Sequence, residues 1–126
     1  METYQGESNR ILVQIKDMDG IVIDPSVAVL HDLHIFIIHR VSFEVIAKYS
    51  KLPATGFSPV NYVSEPIPNV DFKVECILES THTTEAQQGL YEIQVDGYFS
   101  DDKFQSGYQL VTWKGILMNI NPATNG

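Results

Sequence analysis

Cysteine, tryptophan, long apolar runs and clustered basic residues are all scarce in this sequence, and each shortage removes a class of function. The single cysteine, Cys76, rules out a disulfide within the chain. No apolar run approaches the roughly 18 residues of a membrane-spanning helix, and the longest candidate, LHIFIIH, has the length of a strand. A membrane is therefore not an expected partner. The eight Lys and Arg stand singly against 16 Asp and Glu, giving a net charge of -8 and an isoelectric point near 4.7. With no basic patch to displace counterions from a phosphate backbone, nucleic acid is not an expected partner either. The opening METYQGESNR lacks a basic start followed by an apolar stretch, so no signal peptide is read and synthesis in a reducing cytosol is expected.

What is present is β-patterning. The 126 residues are one domain's worth, enough to bury roughly two-thirds of the unfolded surface. Ile11, Val13 and Ile15 alternate with Leu12, Gln14 and Lys16, which predicts a strand with one apolar face. LHIFIIHR, residues 33–40, is apolar on both faces, as in a strand covered on both sides. In VSFEVIAKY the alternation predicts that Val41, Phe43, Val45, Ala47 and Tyr49 point one way. FKVECILE points Phe72, Val74, Cys76 and Leu78 inward, and YEIQV does so with Tyr91, Ile93 and Val95. YQLVTWKGILMNI predicts one bent final strand or two short ones, with a bulge at Gly115 and Trp113 in the core on the face of Val111 and Leu117. PSVAVLHDLH reads as loop or short strand. Six or seven such segments with turn residues between them predict one antiparallel β-sandwich domain over 1–126.

One connection is unusual. SKLPATGFSPVNYVSEPIPNV, residues 50–70, holds four of the six prolines, so it cannot be a central strand. Its length marks a binding arm, a lid or a flexible tip, against the plainer reading of a floppy insertion. Phe57, Val60, Tyr62, Val63 and Ile67 are too apolar for a simple linker, so the segment either folds back on its own domain or is buried by a neighbour, and in the second case these are the expected partner-contact residues.

The chemistry-bearing candidates each fall to a plainer reading. Counted from Asp17 as a calcium loop, KDMDGIVID has Ile21 at position 5, Ala28 at position 12 and its glycine at position 4 instead of 6. A tight turn with Gly20 at positive φ explains the same residues. His31, His34 and His39 alternate faces if they sit in a strand, so no metal set is expected. Asp32 and His34 have no nucleophile beside them, and His82 sits in a polar segment. Cys76 falls on an apolar strand face as a small buried hydrophobe. The eight glycines are isolated, so no phosphate-cradling loop is present. No catalytic residue, cofactor, metal or small-molecule substrate is expected, and the chain does not read as an enzyme.

RILVQIKDMDGIVID resembles the first hairpin of the immunoglobulin-like N-terminal domain of tailed-phage upper-baseplate proteins. GLYEIQV, through Gly89 and Tyr91, resembles that family's G-x-Y strand opening, and FQSGYQLVTW, after Gly107, is similar to its closing strand. The likeness covers both ends of the chain and not the Pro-rich 50–70 segment. It implies an all-β, immunoglobulin-like sandwich of about seven strands with one long Pro-rich loop. It further implies a non-catalytic virion protein of tail, baseplate, neck or capsid, assembled in the host cytoplasm and contacting other virion proteins and copies of itself. The competing expectation is a carbohydrate-binding or cell-surface adhesion module, which would display Phe57, Tyr62, Tyr98 and Phe99 on a flat face or loop end.

Overall fold

The computed structural model describes residues 2–63 and 73–123. Nine strands and one short helix follow in order: β1 Glu2–Tyr4, β2 Asn9–Gln14, β3 Leu30–His39, β4 Val45–Ser50, β5 Ser58–Pro59, β6 Asn61–Val63, β7 Lys73–Leu78, α1 Ser80–Thr83, β8 Gly89–Ser100 and β9 Tyr108–Asn121. The protein is mainly β. The larger sheet has the order β1-β9-β8-β3-β4-β5, and the smaller has β2-β7-β6. The larger sheet is mixed where an antiparallel one was expected, because β1 runs parallel to β9 and β5 runs parallel to β4. Alternation within a strand carries no information about the direction of its neighbour.

The period-two reading finds most of the core. Ile11 and Val13 on β2, Val74, Cys76 and Leu78 on β7, and Tyr91, Ile93 and Val95 on β8 are all buried between the sheets. Leu33, Ile35 and Ile37 on β3 face them from the centre of the larger sheet. Burying each such aliphatic side chain contributes about 1.5–3 kcal/mol. Tyr49 of β4 crosses the core and donates its hydroxyl to the Ile77 carbonyl of β7 at 2.8 Å, which ties one sheet to the other. The DMDG segment is a turn: the Asp17 carboxylate accepts from the Asp19 and Ile21 amides, and Gly20 has φ 79°.

Two expectations about side-chain direction change. Val41 and Phe43 are 82% and 76% exposed because residues 40–44 form the turn from β3, and Val45 is exposed because the β3–β4 register slips at Ile46, pairing Ile37 with Ala47 and Ile38 with Val45. The β9 ladder slips opposite Ile93 and Gln94, so that Gly115 is the extra residue of a bulge. That bulge keeps Trp113 packed on the core, as expected, but turns Leu117 out to solvent. His82 lies in α1, where its Nδ1 accepts from the Glu79 amide at 3.0 Å. On the same helix the buried Thr83 donates its hydroxyl to the Glu7 carbonyl and accepts from the Gly6 amide, which anchors the β1–β2 turn.

Candidate functional site

The Pro-rich connection is where the chain changes sheets. Val60 enters the core at 8% exposure, with β5 on the edge of the larger sheet before it and β6 on the edge of the smaller one after it. Proline suits these places, because an edge strand can dispense with one amide donor. The four expected contact residues among the described ones are therefore not together. Phe57 lies half-buried against the outer face of the larger sheet, and Val60 fills the domain's own interior. Tyr62, 48% exposed, and the half-buried Val63 lie on β6 of the smaller sheet. Ile67 lies outside the described residues.

Phe57 does not lie alone. Strand register places outward-facing side chains in rows across β4, β3, β8 and β9. One row is Lys48, Phe36, Gln94 and Lys114; the next is His34, Asp96 and Thr112; the third is Asp32, Tyr98 and Leu110. The Phe57 ring covers the first two rows, 4.7 Å from His34 and 5.9 Å from Phe36, with the Lys48 ammonium 5.2 Å from its centroid. Tyr98 meets His34 edge-on at 5.1 Å. His34, Phe36, Phe57 and Tyr98 thus make one aromatic cluster on a rigid sheet.

The polar groups around the cluster are held in place. His34 Nε2 meets the Asp32 carboxylate at 3.2 Å. The other oxygen of Asp32 accepts the Leu33 amide at 2.7 Å and the Leu52 amide at 3.1 Å. Asp96 accepts from Thr112 at 2.8 Å and from Gln94 at 3.2 Å. Lys51 reaches back to the Val27 carbonyl at 2.9 Å and the Leu30 carbonyl at 2.5 Å, pinning the loop before β3. Burial lowers its pKa, against the raising effect of Asp32 and Asp24. The Tyr98 hydroxyl is shifted upward by burial first, then by Asp96 and Asp32, and Tyr62 upward by burial, Asp24 and Asp32. Both phenols remain neutral donors at physiological pH.

The three histidines of β3 go three ways. His31 is the bulge residue opposite Phe99 and Tyr98 and stacks on Tyr108 at 4.4 Å, His34 faces outward, and His39 is buried at the end of the strand. Among the described residues no group of three His, Cys, Asp or Glu could hold a metal ion, and no helix is long and apolar enough to cross a membrane. The described ring neighbours of His34 are Phe36, Phe57 and Tyr98, so its pairing with Asp32 orients an aromatic surface. Cys76 is fully buried and its thiol is pushed up to about 12, chiefly by burial and secondarily by Glu75.

Sequence reasoning missed this cluster because His34 and Phe36 belong to a strand that reads as apolar on both sides. Nothing in the spacing says that Phe57, more than twenty residues on, packs against both of them. Of the four aromatics expected on a sugar-binding surface, Phe99 is buried at 7% exposure, and Phe57 and Tyr98 pack in the cluster. No protein-family model, curated protein or solved structure matches the chain.

Proposed function

We propose that this chain is a non-catalytic, immunoglobulin-like structural module of a phage particle, working through protein–protein contacts made by the outer face of its larger sheet. The observation that carries the contact reading is the cluster of His34, Phe36, Phe57 and Tyr98 with Lys48 and Asp96 at its margin. Aromatic side chains ringed by polar ones are what distinguishes the centre of a protein interface from ordinary surface. Strands hold the cluster, so little entropy is lost when a partner docks.

Support for the immunoglobulin-like reading comes from topology and from one tyrosine. The order β2-β7-β6 is compatible with strands B, E and D of a variable-type domain and β9-β8-β3 with G, F and C, while the parallel pairing of β4 with β5 departs from it. Tyr91, near the start of β8, donates its hydroxyl to the Gln87 carbonyl four residues upstream at 2.7 Å. That is the geometry of a tyrosine corner. The departures are the absence of a B–F disulfide and of a strand-C tryptophan. Here the only cysteine is on β7 and the only tryptophan on β9.

The virion assignment rests on the resemblance at Gly89, Tyr91 and the opening hairpin. Mass spectrometry of purified particles from a phage encoding this chain is the test. Recovery of the chain in stoichiometric amounts supports the assignment, and its complete absence from the particle refutes it. The adhesion alternative has less support, since a sugar-stacking face needs rings lying open and flat. A glycan array with saturable binding lost on replacing Phe57 would favour it.

A further inference from the structure

The turn between β3 and β4 holds an aromatic ring out in water at a backbone angle such rings avoid. Phe43 has φ 63°, the one positive value among the described non-glycine residues, and is 76% exposed. A bulky side chain there is an outlier that persists only where its surroundings over-determine it. They do so here. The buried His39 accepts the Val41 and Ser42 amides at Nδ1, 3.2 and 3.1 Å away, which leaves the ring proton on Nε2 to donate to the Gln88 carbonyl at 3.1 Å. The Phe43 amide donates to the His39 carbonyl at 2.9 Å, and the His39 amide to the Glu44 carbonyl at 2.9 Å. Gly89 stands so close that a Cβ would come 3.3 Å from His39 Nε2. The turn is rigid, and what it presents is Phe43 with Val41 beside it.

Charge is divided on either side of this knob. Toward the outer sheet face lies a groove of about 340 Å³ lined by Ile38, Arg40, Phe43, Glu92, Gln94 and Lys114. Arg40 and Lys114 approach Glu92 only loosely, at 3.8 and 4.0 Å, and both cations are about half exposed. On the other side is the exposed carboxylate of Glu44, held by the Gln87 side chain at 3.1 Å. An apolar centre with a cation on one side and an acid on the other is complementary to itself under a twofold rotation.

We propose that this turn is a self-association site: two copies of the chain meet about a twofold axis at Phe43, with Arg40 of each copy against Glu44 of the other. The two cross-pairs offset locally the repulsion that a net charge of -8 sets between copies. Each Phe43 ring covers Ile38 at the apolar end of that groove in its neighbour, with the exposed Val45 paired beside it. The geometry stands independently of the virion assignment, and its purpose, joining copies in a multi-copy assembly, rests on it.

Sedimentation equilibrium of the purified full chain over a concentration series tests the contact. The expected result is a reversible dimer, weakened at least tenfold by Phe43→Ala and by either Arg40→Glu or Glu44→Arg alone. Combining Arg40→Glu with Glu44→Arg restores dimerisation, a rescue that misfolding of the turn would not produce. Circular dichroism melts of each variant check that the sandwich is intact. A wild-type chain that stays monomeric at every concentration overturns the proposal, as does a dimer indifferent to Phe43 or a charge swap that fails to rescue. None of these three results decides the outer-face reading, which is measured separately by incorporation into particles.

Discussion

Replacing Tyr91 by Phe removes one oxygen from the centre of the fold and nothing else. The ring of Tyr91 is fully buried and sits edge-on to His39 at 4.9 Å, a packing that Phe keeps. What is lost is the 2.7 Å bond to the Gln87 carbonyl, which ties the connection after α1 to the start of β8. A typical hydrogen bond contributes about 0.5–1.5 kcal/mol net, and since Gln87 is exposed, water satisfies its freed carbonyl and the cost stays in that range. At about 2.1 cal/mol/K per residue, a chain of this length unfolds with an entropy near 0.26 kcal/mol/K, so a loss of about 1 kcal/mol lowers Tm by about 4 °C. Urea unfolding should show a lower midpoint with an unchanged m-value, because the surface exposed on unfolding is the same. Tyr108→Phe, at a half-buried ring stacked on His31, should stay within about 0.5 kcal/mol of wild type. If Tyr91→Phe is as stable as Tyr108→Phe, the corner contributes nothing and the immunoglobulin-like reading loses its best local support.

Two further perturbations probe the interior. Cys76 should resist thiol reagents until the protein unfolds, and Cys76→Ser should cost about 1–3 kcal/mol by burying a hydroxyl without a partner. Its folded pKa, near 12, lies above the ordinary value of 9.0, so the stability it confers is complete below pH 9 and is lost as pH rises toward 12. The buried hydroxyls of Tyr49 and Tyr91, also shifted upward, act in the same direction from pH 10. Urea midpoints should therefore be flat through neutrality and fall in alkali; a midpoint that rises above pH 9 would contradict the burial. Gly89→Ala combines a φ of 119° with a Cβ 3.3 Å from His39 Nε2. It should destabilise by about 1–2 kcal/mol or more from the backbone alone, read by the same titration.

Much of the fold was legible because its core strands keep strict alternation: Ile11 and Val13, Val74 to Leu78, and Tyr91 to Val95 are buried as their spacing implies. Alternation fails where a turn lacks the usual turn residues. Residues 40–44 reverse the chain with Phe43, not glycine or asparagine, at positive φ, and the reason lies in a histidine ring that accepts two amides. The candidate site was less legible than the core. Phe57 stands out in the sequence as a side chain too apolar for a linker, but the neighbours that give it a surface, His34, Phe36 and Tyr98, come from two other strands. Val60 drew the same argument and belongs to the interior. A proline-rich segment that switches sheets and one that reaches for a partner have the same composition.

Incorporation of variants into particles is the most direct test of the outer sheet face as the working surface. The chain carrying Phe57→Ala and Tyr98→Ala would be supplied in place of wild type, and its amount in purified particles measured by quantitative mass spectrometry. Met18→Ala, at the exposed DMDG turn, serves as the control. The account predicts that the double variant, folded by circular dichroism, drops at least tenfold in the particle, as loss of about 1–4 kcal/mol at hot-spot residues requires, while Met18→Ala is incorporated normally. Equal incorporation of both would contradict it.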